Sequence, residues 1–324
     1  MPKPTTPPRP EARSDVNGRG STGPGTGHRV RDRPEHGEGG GADGGRAKAA
    51  SRSSHEVMHI AFFREVLHDI RRVMAEKYDL SRTSVRPIRS DASRLSIPVK
   101  IIGRNRAGEN VRYFGKILGS NDILSDRSMQ FFKNLYLQMN AQDPIFGFTE
   151  TAEDMARQQY ESLRAIYETG IPTAKPFGYH SVNASMWLLV AEFLDSRPVS
   201  QADQVTVEQI DTLFGYLKRM HTKGIFHGDI KPDNIMLGDK IYILDAGVFR
   251  DDVKASKKQA YDVACLICSF MDIHPVEDTV TNARKYYTRQ NILDVVEYID
   301  LVQQRQDFHF SNLQKNALKQ VMRQ

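Results

Sequence analysis

The pattern of apolar and polar positions changes character along the chain. From about His55 to Lys77, Val57, Ile60, Ala61, Val66, Leu67, Ile70 and Val73 fall mostly at helical spacing, which predicts an N-terminal helix ahead of a turn-prone stretch at Asp79 to Thr83. Strand-like runs follow at Ser96 to Ile102 and Val111 to Leu118, joined by the polar segment Gly103-Arg104-Asn105-Arg106-Ala107-Gly108, which suits a hairpin turn. The next connection, Gly119 to Thr149, is too long for an ordinary loop and carries an amphipathic piece near Phe131 to Met139. A helix is predicted from about Thr151 to Thr169, with Tyr160, Leu163, Ile166 and Tyr167 on one face and Gly170 and Pro172 ending it. Trp187 to Phe193 reads as a buried strand, and Val207 to Thr222 as a helix whose apolar face is Ile210, Leu213, Phe214, Leu217 and Met220. Short strand-like runs then occur at Gly224 to Phe226, Asn234 to Leu237 and Lys240 to Leu244, with Gly238-Asp239 as the turn between the last two. From Ala260 onward the pattern is helical. Strands in the first half and helices in the second predict an α+β arrangement of two lobes, joined near Glu192 to Asp195.

Composition separates a third region. The first 55 residues carry 11 of the 23 glycines and 7 of the 15 prolines, without one Leu, Ile, Phe, Tyr or Trp, so they cannot build a core and are expected to be disordered. This tail holds 10 Lys/Arg against 6 Asp/Glu and accounts for most of the formal net charge of +5. Its mixed signs read as a solvated segment rather than a nucleic-acid binder. The expected organisation is a Gly/Pro-rich tail at 1–55, a helix and β-rich lobe at 56–194, and a helical lobe at 195–324. Neither a secretory apolar stretch nor a run of about 18 apolar residues occurs, so a cytoplasmic chain without a transmembrane segment is expected. Cys265 and Cys268, the only cysteines, sit in an apolar run and suit small buried helix residues better than a disulfide or metal site.

The chemistry concentrates in His227-Gly228-Asp229-Ile230-Lys231-Pro232-Asp233-Asn234 and in Asp245-Ala246-Gly247. Phosphoryl transfer needs a carboxylate to orient or deprotonate the attacking hydroxyl, oxygen ligands for a metal that bridges phosphates, and fixed positive charge near the transferred group. Asp229 suits the first task and Asn234 with Asp245 the second, because a hairpin between them brings these oxygens to one cleft. Lys231, two residues beyond Asp229, suits the third as a point charge.

These residues resemble the protein-kinase superfamily. The stretch from Leu217 through Met220, His221, Gly224, Ile225 and His227 to Asn234 resembles its catalytic loop with the preceding helix, and Asp245-Ala246-Gly247 its magnesium-binding Asp-Phe-Gly. The match covers roughly Val85 to Phe270. It implies a two-lobed protein-kinase-like fold and an ATP-dependent transferase using Mg2+, with Mn2+ as a substitute. It implies Asp229 and Lys231 as catalytic residues, Asn234 and Asp245 as metal ligands, Lys116 on the nucleotide phosphates, and the backbone of Glu192 and Leu194 at adenine, with Ala191 behind. Asp262 resembles the helix Asp that braces the catalytic loop.

Departures from the family pattern carry information of their own. No GxGxxG precedes Lys116, and Ser90-Asp91-Ala92-Ser93 is the nearest small-residue loop. The usual helix glutamate falls on Gln159, with Glu161 about 200° further round the helix; Gln159 could hydrogen-bond Lys116 without supplying an ion pair, and Glu161 stays open as the alternative partner. Only 16 residues separate Asp245 from Asp262, which leaves no room for a full activation segment. With His-Gly-Asp in place of His-Arg-Asp, the chain resembles the atypical branch that includes RIO kinases, KEOPS-type kinases and lipopolysaccharide-core sugar kinases. The expected activity is that of an atypical Ser/Thr protein kinase acting on ATP and a hydroxyl acceptor. A kinase for a sugar, lipid headgroup or other small hydroxyl compound, and a nucleotide-binding scaffold with little turnover, are the alternatives.

Removing residues 1 to 50 should leave the melting temperature and basal activity of the remainder unchanged, since the tail has almost no apolar side chain to pack. A large drop in melting temperature on deletion would contradict this.

Overall fold

The segments of period two form an antiparallel sheet. The computed structural model describes residues 64–88, 96–119, 133–134, 137–138, 140 and 142–324; the expectations for the tail, the start of the first helix and the Ser90 to Ser93 loop lie outside these residues. Helix α1 (64–78) leads into β1 (Ser81–Pro87), β2 (Ile97–Arg104) and β3 (Asn110–Gly119). Helix α2 (Ala152–Glu168), β4 (Pro176–Asn183) and β5 (Met186–Glu192) follow, and the sheet order is β1-β2-β3-β5-β4.

Two strands of this sheet were not foreseen. β1 is a polar edge strand in which Val85 alone is buried, so it carries no alternating apolar signal, and β4 begins with Pro176 and has only Val182 buried. Conversely, residues 224–226 form no strand, because Gly224, at φ +73°, turns the chain out of the preceding helix.

Alternation along β2 and β3 sorts their side chains between two faces. Val99, Ile101 and Ile117 pack with Val66, Ile70, Val73 and Met74 of α1 on one face. On the other, Leu118 meets Ala152, Met155 and Ala156 of α2. Lys116, between Gly115 and Ile117, therefore belongs to the α2 face, which borders the cleft. Thr151 caps α2 by accepting from the Asp154 N–H at 3.0 Å, and Gly170, at φ +76°, follows its end.

The helical lobe contains α3 (Val207–Thr222), α4 (Ala255–Cys268), α5 (Val276–Tyr286), α6 (Arg289–Val295), α7 (Ile299–Gln303) and α8 (Asn312–Arg323). Helix α3 opens on a capping box between Thr206 and Gln209 and buries the apolar face read from its sequence. Residues 260–268 of α4 are buried on every side, which makes it the central helix of this lobe. Cys265 and Cys268 are free thiols in that core, and burial pushes the Cys265 thiol up to about 12. A small sheet is formed by β6 (Arg197–Pro198), β7 (Ile235–Leu237) and β8 (Ile241–Ile243), and β7 follows directly on the segment His227 to Asn234. No helix among the described residues is long and apolar enough to cross a membrane.

Part of the long connection after β3 belongs to the helical core. The buried Asn134 donates from Nδ2 to the Phe146 carbonyl at 3.0 Å and accepts from the Ile145 and Phe146 N–H groups at 3.1 Å. This fixes a strap whose Leu137, Ile145 and Phe146 enter the core built on α3 and α4.

Gly115 offers a test of the sheet packing. A Cβ there would lie 2.8 Å from Val99 Cγ2 and 2.9 Å from Ile101 Cδ1, both fully buried. Gly115→Ala should therefore destabilise the fold by about 1–3 kcal/mol in chemical denaturation, as overpacking of a tight core does. An unchanged unfolding midpoint would show that the sheet and α1 are not packed as described.

Candidate active site

Helix α3 ends at Thr222, and the chain returns across the base of the cleft as the segment His227 to Asn234. Its backbone is held from below by Asp262 of α4, which is fully buried. Asp262 Oδ2 accepts from the His227 N–H and Oδ1 from the Gly228 N–H, each at 2.7 Å. His221 Nε2 donates to Asp262 Oδ2 at 3.2 Å, and Tyr287 in turn donates to His221 Nδ1 at 3.0 Å. Burial pushes the His227 imidazole down, and its Nε2 donates to the Leu244 carbonyl at 2.9 Å.

The same loop explains why glycine stands between His227 and Asp229. Gly228 has φ +74°, and a Cβ there would meet Phe249 Cε2 at 3.2 Å and the Gly247 carbonyl carbon at 3.3 Å. Gly247 is equally confined, since its Cβ would lie 3.1 Å from Asp229 Cβ. The two backbones touch, and the Gly247 N–H donates to the His227 carbonyl at 2.7 Å. Asp245 has φ +55°, a conformation that Asp adopts more readily than most residues and that is typical of functional positions.

Asp229, Lys231, Asn234, Asp245 and Lys116 come together around this junction. Asn234 is buried; its Nδ2 faces the Asp229 carbonyl at 2.8 Å, Asp229 Oδ2 at 3.3 Å and the Asp245 carbonyl at 3.2 Å. Lys231 Nζ lies 3.7 Å from Asp229 Oδ2. Lys116 reaches from β3 to Asp245 Oδ2 at 3.0 Å. That contact corrects the expected pairing with α2. Glu161 is exposed, and Gln159 Oε1 is buried without a partner among the described residues. The helix register is as read, but Asp245 takes the lysine because its left-handed backbone brings the carboxylate into reach.

At the junction of the lobes, Ala191 packs with Leu163 and Ala174, and the partly buried Phe114, Leu194 and Leu244 close around them. The Glu192 N–H donates to the Lys175 carbonyl at 2.9 Å and its side chain accepts from the Lys175 N–H at 3.2 Å.

Three residues at the site were not singled out from the sequence. Arg305, just beyond α7, is buried and donates from Nη2 to Asp229 Oδ1 at 2.7 Å and to Asp307 Oδ2 at 3.0 Å, and from Nη1 to the Tyr261 hydroxyl at 2.9 Å. Asp307 also lies 3.6 Å from Lys231. Lys133, in the strap, is buried with its ammonium 4.9 Å from the centre of the Phe146 ring. Burial alone would raise the Asp229 carboxyl, but Lys231, Arg305, Lys133 and His227 outweigh it and hold Asp229 far below the usual carboxylate range. Lys231 is held above its ordinary value, chiefly by Asp229. Lys133 is pushed down to about 8 by burial and then by Arg305, with Asp229, Cys265 and Asp307 opposing.

A five-stranded antiparallel lobe over a helical lobe, with these residues at the junction, defines a protein-kinase-like fold. Sequence comparison finds similarity to the serine/threonine-protein kinase D of Synechocystis sp., 28% identical over 114 residues, 33% of this chain and 22% of that protein. A protein of Methanosarcina barkeri described as a bifunctional tRNA threonylcarbamoyladenosine biosynthesis protein is 27% identical over 117 residues, 36% of this chain and 21% of its own. The chain thus spans about a fifth of the length of the curated relatives it matches. Solved structures similar to it include a protein described as a fructosamine-3-kinase from Haemophilus somnus 129PT, with TM-score 0.43 and 11% identity over 81% of this chain and 98% of that one. The PknI kinase domain of Mycobacterium tuberculosis has TM-score 0.38 and 15% identity over 75% of this chain and 96% of its own. No protein-family model matches the chain.

The buried Lys133 ammonium should cost stability at neutral pH. Unfolded, this lysine titrates near 10.5 and folded near 8, so below pH 8 both states are charged and the full cost of burial applies. Between those values the folded state sheds its proton and the cost fades. Lys133→Met should therefore raise the melting temperature at pH 7, with the gain shrinking as the pH approaches about 10. A variant less stable than the parent at pH 7 would contradict this account of Lys133.

Proposed function

We propose that the chain is an ATP-dependent phosphotransferase of the atypical kinase type that passes the γ-phosphoryl group of ATP to a small hydroxyl compound. The observation that carries the reading is the convergence of Asp229, Lys231, Asn234, Asp245 and Lys116 at one junction. Asp229 holds the acceptor hydroxyl in line with the γ-phosphorus. As the new P–O bond forms and the bond to the ADP oxygen breaks, the hydroxyl proton passes to the Asp229 carboxylate and on to solvent. With its basicity held so low by neighbouring cations, Asp229 acts first by orienting the hydroxyl and takes the proton only late.

Lys231, beside Asp229, faces the transferring phosphoryl, and Lys116 holds the α/β-phosphates once it exchanges Asp245 for them. The donor set fits magnesium, which takes one or two protein oxygens and fills the rest of its shell with phosphate and water. The Asp245 carboxylate and Asn234 Oδ1 would supply those oxygens, while Asn234 Nδ2 is occupied by Asp229 and Asp245. When bound, the ion neutralises charge on the β- and γ-phosphates. Adenine would lie against Phe114, Leu244 and Ala191, meeting the backbone of Glu192 and Leu194.

The acceptor preference rests on the segment after Gly247. Residues 248–250 are pinned to the strap: the Gly147 N–H donates to the Val248 carbonyl at 3.1 Å, the Arg250 N–H to the Ile145 carbonyl at 3.0 Å, and Phe249 stacks on Phe146. Helix α4 begins at Ala255, which leaves little chain for the platform on which a peptide docks. A protein Ser/Thr hydroxyl is the second reading, favoured by Lys231 lying beside Asp229, where protein Ser/Thr kinases resembling this loop carry lysine. The cytoplasm is the compartment proposed.

Asp229→Ala and Asp245→Ala should each abolish transfer of labelled phosphate from ATP. Magnesium-dependent ATP affinity should fall in the second variant and largely survive in the first. Substantial transfer by either purified variant would sink the assignment.

A further inference from the structure

Cations outnumber carboxylates beside Asp229. Arg305 and Lys231 each contact both Asp229 and Asp307, so the two carboxylates are shared between two cations. Lys133, the third cation, has no ion pair or hydrogen bond among the described residues, and its one named contact is the Phe146 ring face. Arg305 Nε, on the same flank, is a buried donor without an acceptor among them.

Taking an ammonium largely out of water is unfavourable unless an anion faces it, and a single cation–π contact offsets only part of that cost. Lys133 is nevertheless held firmly in position. Its neighbour Asn134 is fixed by three hydrogen bonds, and these fix Phe146 as well.

The contacts also say on which side of Asp229 this lysine lies. Phe146 packs edge-on to Tyr261, whose hydroxyl accepts from Arg305, which holds Asp229. This chain of contacts runs through the helical core, whereas Lys116 and the apolar group around Ala191 lie at the other lobe. Lys133 is therefore on the acceptor side of the catalytic carboxylate.

We propose that Lys133 is the counter-ion for an oxyanion on the acceptor, so that the acceptor is a small hydroxyl compound carrying a phosphate or a carboxylate. This rests on the phosphotransferase reading above. The strap then has a role in recognition: it carries the lysine from the connection after β3 to the flank of Asp229 and anchors it on the helical core. Substrate charge then faces a flank on which the described cations Lys231, Arg305 and Lys133 outnumber the described carboxylates Asp229 and Asp307.

The test saturates the full chain with magnesium and a non-hydrolysable ATP analogue, so that the nucleotide phosphates occupy the Lys116 side, and then titrates inorganic phosphate or acetate by calorimetry. Wild type should bind at least one of the two anions. Lys133→Met should weaken that binding by about 10- to 100-fold, the range for one charge-assisted hydrogen bond, while Lys133→Arg should retain it. Tighter phosphate binding would indicate a phosphorylated acceptor, and tighter acetate binding a carboxylate. Absence of anion binding to wild type, or equal binding by Lys133→Met, would overturn the proposal. Failure of the ATP analogue itself to bind would instead contradict the phosphotransferase reading, so the two failures are distinguishable.

Discussion

One buried carboxylate organises the cleft. Asp262 has no exposed surface and spends both oxygens on the backbone of the segment His227 to Asn234, accepting from His227 and Gly228 at 2.7 Å. A carboxylate taken out of water is tolerated only when its lone pairs are satisfied, and two short bonds to peptide N–H groups, with His221 as a third donor, meet that condition. Each such bond to a charged group contributes about 1.5–3 kcal/mol. The loop cannot shift without stranding the charge, and the positions of Asp229 and Asn234 follow from that constraint.

Around this anchor the chemistry is set by close backbone approach and by cations that arrive from distant sequence. Gly228 and Gly247 let the catalytic loop and the Asp245 turn touch, which places Asn234 where its amide reaches both Asp229 and Asp245. Arg305 arrives from 76 residues away to orient Asp229, and Asp307 links that arginine to Lys231. Asp229 is thus ringed by positive charge, which in the proposed reaction makes it an orienting group first.

The legible parts of this structure are those whose determinants are local. Helices α2 and α3 followed from apolar spacing and capping residues, and the segment from His227 to Asn234 with Asp245 carries its chemistry in contiguous residues. β1 and β4 were missed because an edge strand with a single buried residue has no alternation to detect. The Lys116 partner lay outside the two alternatives read on α2, Gln159 and Glu161, because the positive φ of Asp245, which brings its carboxylate to the lysine, leaves no mark on hydrophobic periodicity. Lys133 and Arg305 carry no signal in the sequence pattern, since only the tertiary fold buries them. The closely spaced Arg305 and Asp307, amid the helical C-terminal pattern, were the one available hint.

The most direct measurement is amide hydrogen exchange at His227 and Gly228, followed together with phosphate transfer, in the parent chain and in Asp262→Asn. A neutral amide can accept from one of these N–H groups with its oxygen but turns a donor toward the other. Both amides should exchange in the parent only on global unfolding, and in the variant exchange at this loop should speed up while transfer falls with it. Retained slow exchange in Asp262→Asn, or full transfer by a chain whose loop has loosened, would contradict the claim that Asp262 holds the catalytic residues in place.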